Sequence, residues 1–210
     1  MSAIDRRRGD SDVQAGLLAS RRAIDCVVEA VAALSDRVGA TRPVIELVLA
    51  TTGKVVVTGL GKSGLVGAKF AATLSSTGTG ASFVHAADAL HGDAGAVGAD
   101  DLVIAISNSG ETPEVCWFAE MLRKRGVPIV AMTGCGGSST LARLADVVVD
   151  VAVTREADPY DLLPTCSTVA ASVVGDAIAI AAMVARGFGP EDFHRYHPGG
   201  ALGHRLRSEP

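Results

Sequence analysis

Residues 103–112 read VIAISNSGET, an apolar run that ends in small hydroxyl and amide side chains and then in a carboxylate. A continuous β-branched run of this kind is typical of a strand that is buried on both faces of a parallel sheet. Pro113 follows the stretch and suits the first turn of a helix. Because ligands bind beyond the carboxyl ends of the strands in such sheets, the polar loop is predicted to face a ligand.

The same alternation of strand and helix continues on both sides of this stretch. Strands are predicted at residues 54–58, 81–85, 102–106, 127–132 and 147–151. Helices are predicted at residues 11–36, from 41 onward, and at 64–75, 113–125, 141–145, 165–186 and 191–193. This order predicts an α/β fold with a five-stranded parallel sheet flanked by helices. We expect residues 1–12, which are rich in charge, to be flexible and residues 13–210 to form a single domain.

The amino-acid composition argues against several classes of function. Of the 210 residues, 48% are hydrophobic and 20% are charged, which is enough apolar material for a core. A net charge of −4 and an aromatic content of 4% argue against nucleic-acid and membrane-surface partners. The four cysteines contain no C-x-x-C pair, and the N-terminus lacks a signal-peptide core, so a cytoplasmic protein with reduced thiols is expected. The longest apolar run, residues 177–185, is shorter than the ~20 residues of a membrane span.

The loop after the first predicted strand reads GLGKSG at residues 59–64. It matches the dinucleotide-binding pattern G-x-G-x-x-G, but that motif also needs an acidic residue at the end of the second strand. The nearest acid is Asp88, which lies beyond that end. A P-loop would require glycine where Val56 stands. Both nucleotide-binding interpretations are therefore weak.

A small anion site explains this loop better. Backbone N–H groups around Gly61 and the helix N-terminus would face the anion, with Ser63 adding a hydroxyl and Lys62 a charge. The alternative is a tight turn that needs only its glycines. That alternative leaves Lys62 and Ser63 unexplained.

The loop after the third predicted strand is richer in polar groups. Ser107, Ser109 and Thr112 could donate hydroxyl groups to one phosphate, together with the free N–H groups of the next helix. An ordinary helix cap would need only one such residue. Glu111 would be repelled by a bound phosphate, so a role in chemistry on the adjacent part of the ligand explains it better.

Five segments in order carry a resemblance to a known family: VVVTGLGKSG, FVHAADALHGD, VIAISNSGET, READPYDLLPTCST and HPGGALG. Over residues 13–206 the chain resembles the SIS (sugar isomerase) domain family, and within it the arabinose-5-phosphate isomerase branch. The resemblance implies a SIS-type three-layer sandwich that interconverts D-ribulose 5-phosphate and D-arabinose 5-phosphate through an enediol. It also implies a homotetramer with sites shared between subunits. Many members carry two CBS domains, which this chain is expected to lack.

The resemblance also implies which residues are catalytic and which bind the substrate. The catalytic groups would be Lys62, Glu111, Glu156 and His197. The substrate-binding residues would be Gly61, Ser63, Ser107, Asn108, Ser109 and Thr112, with His85 and His91. Our hypothesis is that Glu156 takes the carbon-bound proton, His197 helps to open the sugar ring, and Glu111 and Lys62 act at the oxygens.

No cofactor and no metal are expected. His85, His91 and His197 could form a zinc set, but their spacing is not a known ligand pattern.

Two other functions stay open at this point. The chain could isomerise another sugar phosphate, such as a hexulose or heptulose phosphate, or it could be a non-catalytic sugar-phosphate sensor on the same fold. Departures from the family pattern lie near the sugar end. They are Asp88, where the family has Glu, and Asp158, Tyr160, Asp161 and Cys166, which replace smaller or apolar residues. Two carboxylates beside a phosphate argue against a sensor, because binding alone does not need them.

Overall fold

The computed structural model describes residues 3–196, with side chains from residue 9 onward. Its strands are β1 (Val55–Gly59), β2 (Ala81–His85), β3 (Leu102–Ile106), β4 (Ile129–Thr133) and β5 (Val147–Asp150). They form one sheet in the order β2-β1-β3-β4-β5, and every pair is parallel. The predicted five-stranded parallel sheet is confirmed, and the strand ends lie within two residues of the predicted ones.

Helices cover both faces of the sheet. They are α1 (Ala3–Ala32), α2 (Arg42–Ala50), α3 (Gly61–Ser76), α4 (Ala86–Ala89), α5 (Pro113–Lys124), α6 (Thr140–Leu144), α7 (Cys166–Ala185) and α8 (Pro190–Tyr196). Val55 and Val57 belong to the core beneath α2, α3 and α7, whereas Val56 belongs to the core beneath α4 and α5. Successive strand residues point to opposite faces, so burial of both faces requires an unbroken apolar run. The α/β three-layer architecture is thereby confirmed.

The strand register places the loops after β1 and β3 side by side at the carboxyl edge of the sheet. Gly59, at the end of β1, pairs with His85 of β2 on one side and with Ile106 of β3 on the other. From β1 the chain moves outward to β2 and then returns to the opposite side of β1 as β3. The loops after β1 and β3 therefore diverge at the reversal of strand order, where parallel sheets open a crevice.

The first helix differs from the prediction. It begins at Ala3 and not near Ser11, and it ends at Ala32, after which a 3-10 helix spans Ser35–Thr41. Nothing between Ala3 and Ser11 is a strong helix breaker, since a single glycine inside a helix costs only about 1 kcal/mol. The boundary predicted at residue 12 falls inside a continuous helix, while the flexibility of residues 1–12 stays a prediction.

Helix α7 is more apolar than the short run at residues 177–185 indicated. Within residues 3–196 it is the one helix long and apolar enough to cross a membrane, with a mean hydropathy of 1.9. Core helices of globular proteins have the same composition. Here Ala170, Val174 and Ile178 are buried in the core beneath the sheet, and Asp176 forms an ion pair with Lys69 of α3. These contacts make α7 a core helix of the α/β fold.

Candidate active site

A cavity of about 210 Å³ opens at the carboxyl edge of the sheet. Its polar side chains are those of Lys62, Ser63, Asn108, Ser167 and Thr168. Its apolar lining consists of Leu60, Val66, Ile106, Met132, Val151, Pro164 and Ala171. The cavity lies where the strand order reverses, which is the place that the sequence predicted for a ligand.

The loop after β1 delivers Lys62 and Ser63 to this cavity. Helix α3 begins at Gly61, directly after the strand, so both residues lie in its first turn. A Cβ at Gly59 would lie 3.0 Å from the Ser63 carbonyl carbon, so this glycine permits the close approach of strand and helix. The first-turn N–H groups of α3 lack partners within the helix and can serve an anion.

The loop after β3 is held in shape by its own hydroxyl groups. The Ser107 and Thr112 hydroxyl oxygens are 2.8 Å apart, and the Ser107 oxygen also accepts from the Gly110 N–H at 3.1 Å. The Ser109 hydroxyl oxygen accepts from the Glu111 N–H at 3.2 Å. Within the Ser107–Thr112 pair only one hydroxyl donates, and Ser109 uses only an oxygen lone pair. Two hydroxyl hydrogens of this loop are therefore left to donate. Ser107, Ser109 and Thr112 do not themselves line the cavity, to which the loop contributes Asn108.

Asn108 is fixed from the next strand. Its backbone carbonyl accepts from the Thr133 hydroxyl at 3.1 Å and from the Gly134 N–H at 2.9 Å. Its side chain lines the cavity. The sequence assigned no role to Thr133 and Gly134, although a Thr-Gly pair at the end of a predicted strand is a usable signal for such support.

Glu111 turns away from the cavity. Its Oε1 accepts from the Thr140 N–H at 2.8 Å, at the start of α6, and it is absent from the cavity lining. Hydrogen bonds from Thr140, aided by the charge of Arg143, hold the pKa of the Glu111 carboxyl below its usual value. In this arrangement Glu111 is an ionised carboxylate at the N-terminus of a short helix.

Glu156 lies directly behind the cavity wall. Its Oε2 accepts from the Thr165 N–H at 2.7 Å, the Thr165 hydroxyl at 3.1 Å and the Ser167 N–H at 3.2 Å. Its Oε1 accepts from the hydroxyl of Ser167, a residue that lines the cavity. Burial raises the pKa of this carboxyl, but the hydrogen bonds from Ser167 and Thr165 outweigh burial and hold the pKa below its usual value. The carboxylate is thus anchored on the first turn of α7.

Two further carboxylates shape the segment between Glu156 and α7. Asp158 accepts from the N–H groups of Tyr160, Leu162 and Leu163. Asp161 adopts a left-handed φ of +58°, and its Oδ1 accepts from the Glu156 N–H at 2.5 Å. The departures from the family pattern therefore include groups that organise the loop holding Glu156.

Neither His85 nor His91 lines the cavity. The His85 ring packs edge-on against Phe83, and its Nδ1 lies 3.8 Å from Asp88. His91 is exposed and does not line the cavity. His197 lies outside the described residues. Within residues 9–196 no group of three or more His, Cys, Asp or Glu side chains is placed to hold a metal ion.

Ser167 and Thr168 are the polar cavity residues that the sequence missed. They follow Thr165 at the start of α7, within the TCST segment. A cluster of hydroxyl residues at the start of a long apolar helix is the signal that could have found them.

The sequence pattern of the SIS domain matches residues 48–181, more than half of the chain. The chain belongs to the SIS domain family. This SIS domain is 53% identical over 161 residues to the arabinose 5-phosphate isomerase KdsD of Pseudomonas aeruginosa, covering 77% of this chain and 49% of that protein. It is 54% identical over 155 residues to the enzyme of the same name from Salmonella typhi, covering 74% and 47%.

This SIS domain thus spans about half the length of the curated relatives that it matches. A solved Escherichia coli structure in complex with arabinose 5-phosphate superposes on it with a TM-score of 0.83 at 38% identity, covering 94% of this chain and 100% of that one. The family predicted from the five sequence segments is confirmed.

Proposed function

We propose that the chain is an aldose–ketose isomerase that interconverts D-ribulose 5-phosphate and D-arabinose 5-phosphate through an enediol. The observation that carries the proposal is the cavity at the strand reversal, where Lys62, Ser63 and Asn108 of the two predicted loops meet Ser167 and Thr168. The identity of 53–54% to proteins named arabinose 5-phosphate isomerase supports this substrate pair.

The phosphate of the substrate would bind between the loops after β1 and β3. Both loops enter helices of more than ten residues, α3 and α5, whose N-termini favour an anion. Ser63, the Asn108 amide and the two free hydroxyl hydrogens among Ser107, Ser109 and Thr112 would supply hydrogen bonds and no opposing charge. A chain of net charge −4 can therefore hold a phosphate by local geometry.

Proton transfer would be divided among four residues. Glu156 takes the proton from the reacting carbon, and Lys62, which faces the cavity, acts at the substrate oxygens. Glu111 would act there with Lys62 after its side chain leaves the Thr140 N–H and turns toward the cavity. His197 assists ring opening. When Glu156 accepts a proton it gives up part of its hydrogen bonding to Ser167 and Thr165, so substrate binding must compensate for those bonds.

The active assembly is proposed to be a homotetramer with sites completed by a neighbouring subunit. Helix α1 supports this, because five large apolar side chains on it are 58–65% exposed: Val13, Leu17, Leu18, Ile24 and Val28. Such a row on one helix is typical of a surface that another protein covers. Light scattering on the purified chain measures the mass, and a monomeric mass would contradict the proposal.

We also place the protein in the cytoplasm, since its four cysteines are free thiols.

One experiment tests the activity. The purified chain is incubated in heavy water with pentose, hexose and heptose phosphates, and exchange at the C1 and C2 hydrogens is followed by NMR. Exchange and product formation with ribulose 5-phosphate are expected. Activity only on a hexulose or heptulose phosphate would correct the substrate, and tight binding without any exchange would identify a sensor.

A further inference from the structure

We propose that Cys26 and Cys166 form an oxidisable dithiol, a modification site at which a peroxide joins them into an intrachain disulfide beside Glu156. Cys26 lies on α1 and Cys166 is the first residue of α7. They are 140 positions apart in the sequence, yet their Sγ atoms lie 3.5 Å from each other. Tertiary packing, and no local motif, brings the two thiols into contact.

The two thiols differ in their access to solvent. Cys26 is half-buried and lines a surface cavity of about 380 Å³ between α1 and the segment that leads from Arg155 to Pro159. Cys166 is fully buried. A small oxidant therefore meets Cys26 first, and Cys166 reacts only with an oxidised Cys26.

The oxidation balances in two steps. The Cys26 sulfur, having released its proton to water, attacks one oxygen of hydrogen peroxide, which yields a sulfenic acid and one hydroxide that becomes water. The Cys166 sulfur then attacks the Cys26 sulfur, the S–S bond forms, and the sulfenic hydroxyl leaves with the Cys166 proton as a second water. Both sulfurs are oxidised and both peroxide oxygens are reduced. Burial, with the hydrogen bond to Cys26, raises the pKa of Cys166 to about 11, which fits its place as the second thiol to react.

The disulfide would disturb the carboxylate of Glu156. Thr165 and Ser167, the neighbours of Cys166 in the sequence, provide all four hydrogen bonds to that carboxylate. A disulfide holds its sulfurs about 2.05 Å apart, so the sulfurs must approach each other by roughly 1.5 Å. Oxidation also removes the thiol hydrogen that Cys26 directs at the Glu156 carbonyl oxygen, 3.9 Å away. An effect on turnover follows from these contacts, and that effect rests on the proposed function.

The cross-link itself is tested without any activity assay. The reduced full chain is treated with increasing hydrogen peroxide, and peptides are mapped by mass spectrometry under non-reducing conditions. We expect a Cys26–Cys166 linked peptide, the loss of two of the four free thiols together, and their recovery with dithiothreitol. Cys26→Ser and Cys166→Ser should each abolish the linked peptide. Cys135→Ser, which removes an exposed thiol, is the matched control and should leave the linked peptide unchanged.

The outcomes are distinct. If Cys26 accumulates as sulfinic acid, or if only Cys135 reacts, the dithiol proposal is overturned. If the linked peptide forms, kcat should fall about 10-fold to 100-fold and return on reduction, because small displacements of reacting groups cost that much. The Cys166→Ser chain should keep its activity in peroxide. A linked chain with unchanged kcat would refute the effect on the site, whereas a reduced chain inactive on every sugar phosphate would refute the proposed function alone.

Discussion

The side chain of Glu156 can be tested in its structural and chemical roles by one substitution. Glu156→Gln keeps the shape of the side chain and one acceptor oxygen but removes the charge and the basic site. With the amide oxygen in place of Oε2, the bonds from the Thr165 N–H, the Thr165 hydroxyl and the Ser167 N–H all survive. The amide nitrogen then faces the Ser167 hydroxyl, which can rotate to accept from it.

The structural role of Glu156 predicts a small loss of stability, and its chemical role predicts a large loss of turnover. Loss of a negative charge at the N-terminus of α7 should lower the free energy of unfolding by about 0.5–2 kcal/mol. For a chain of this size that corresponds to a fall in Tm of about 1–8 °C. Loss of a general base should lower kcat about 10²-fold to 10⁴-fold. A folded but nearly inactive variant is therefore expected.

Thermal unfolding and the isomerisation of ribulose 5-phosphate in heavy water are the two measurements. Glu114→Gln is the matched control, since Glu114 is an acid in the first turn of α5 and does not line the cavity. It should lose a similar, small amount of stability and keep its turnover. Near-normal turnover of the Glu156→Gln chain, with the same small loss of stability, would refute the proposed base and leave Glu156 as a helix-capping residue.

The charge of Glu156 also predicts a dependence on pH. Its pKa in the folded chain lies below the ordinary value of 4.5, so the native state favours the ionised form. The stabilisation is fully present above pH 4.5 and is lost as the pH falls through the lower folded pKa. The difference in unfolding free energy between the wild type and Glu156→Gln should therefore shrink in acid. If the difference in unfolding free energy between the two chains grows below pH 4.5, the lowered pKa of Glu156 is contradicted.

Five further substitutions, in three tests, probe the site and its support. Lys62→Met, at an exposed residue of the cavity lining, should lower kcat about 10²-fold or more while the urea midpoint stays nearly constant; retained turnover would remove Lys62 from the catalytic set. Gly110→Ala combines a φ of +64° with a Cβ 2.1 Å from the Ser139 hydroxyl oxygen, whereas Gly136→Ala has a φ of +57° and open space. Urea unfolding should show a loss of about 1 kcal/mol for Gly136→Ala and at least about 2–3 kcal/mol for Gly110→Ala, and equal losses would contradict the packing argument. Asp161→Asn keeps an acceptor for the Glu156 N–H and tolerates the left-handed φ, so its kcat should stay near wild type. Asp161→Gly also tolerates the left-handed φ but loses the acceptor, so its kcat should fall about 3-fold to 10-fold at constant KM. Equal kcat values for the two variants would show that Asp161 does not position Glu156.

Local pattern was sufficient for the sheet and for two of its loops. The runs at residues 54–58 and 102–106 predicted strands because burial on both faces demands unbroken apolar residues, and both strands were found there. The loops that follow them were predicted at a ligand edge, and Lys62, Ser63 and Asn108 do line a cavity at that edge. These features depend on periodicity and on residues close together in the chain.

Contacts between distant segments could not be predicted in this way. The carboxylate of Glu156 accepts hydrogen bonds from Thr165 and Ser167. These residues lie close to Glu156 only because the intervening loop, which Asp158 and Asp161 organise, folds back toward it. The start of α1 at Ala3 was missed because Ser11 and Gln14 have the spacing of a capping box, and that local pattern does not stop a helix that continues through it.

The amino-acid pattern alone determined the α/β class, the parallel sheet, the polar loops at its carboxyl edge and the family, since each depends on residues close together in the chain. The three-dimensional packing decided which polar groups face the cavity, how Glu111 and Glu156 are held at helix N-termini, and that Cys26 meets Cys166 across 140 positions. The physical reason is that the strand and helix periods act over a few residues. Side-chain contacts between elements depend on where each complete element packs.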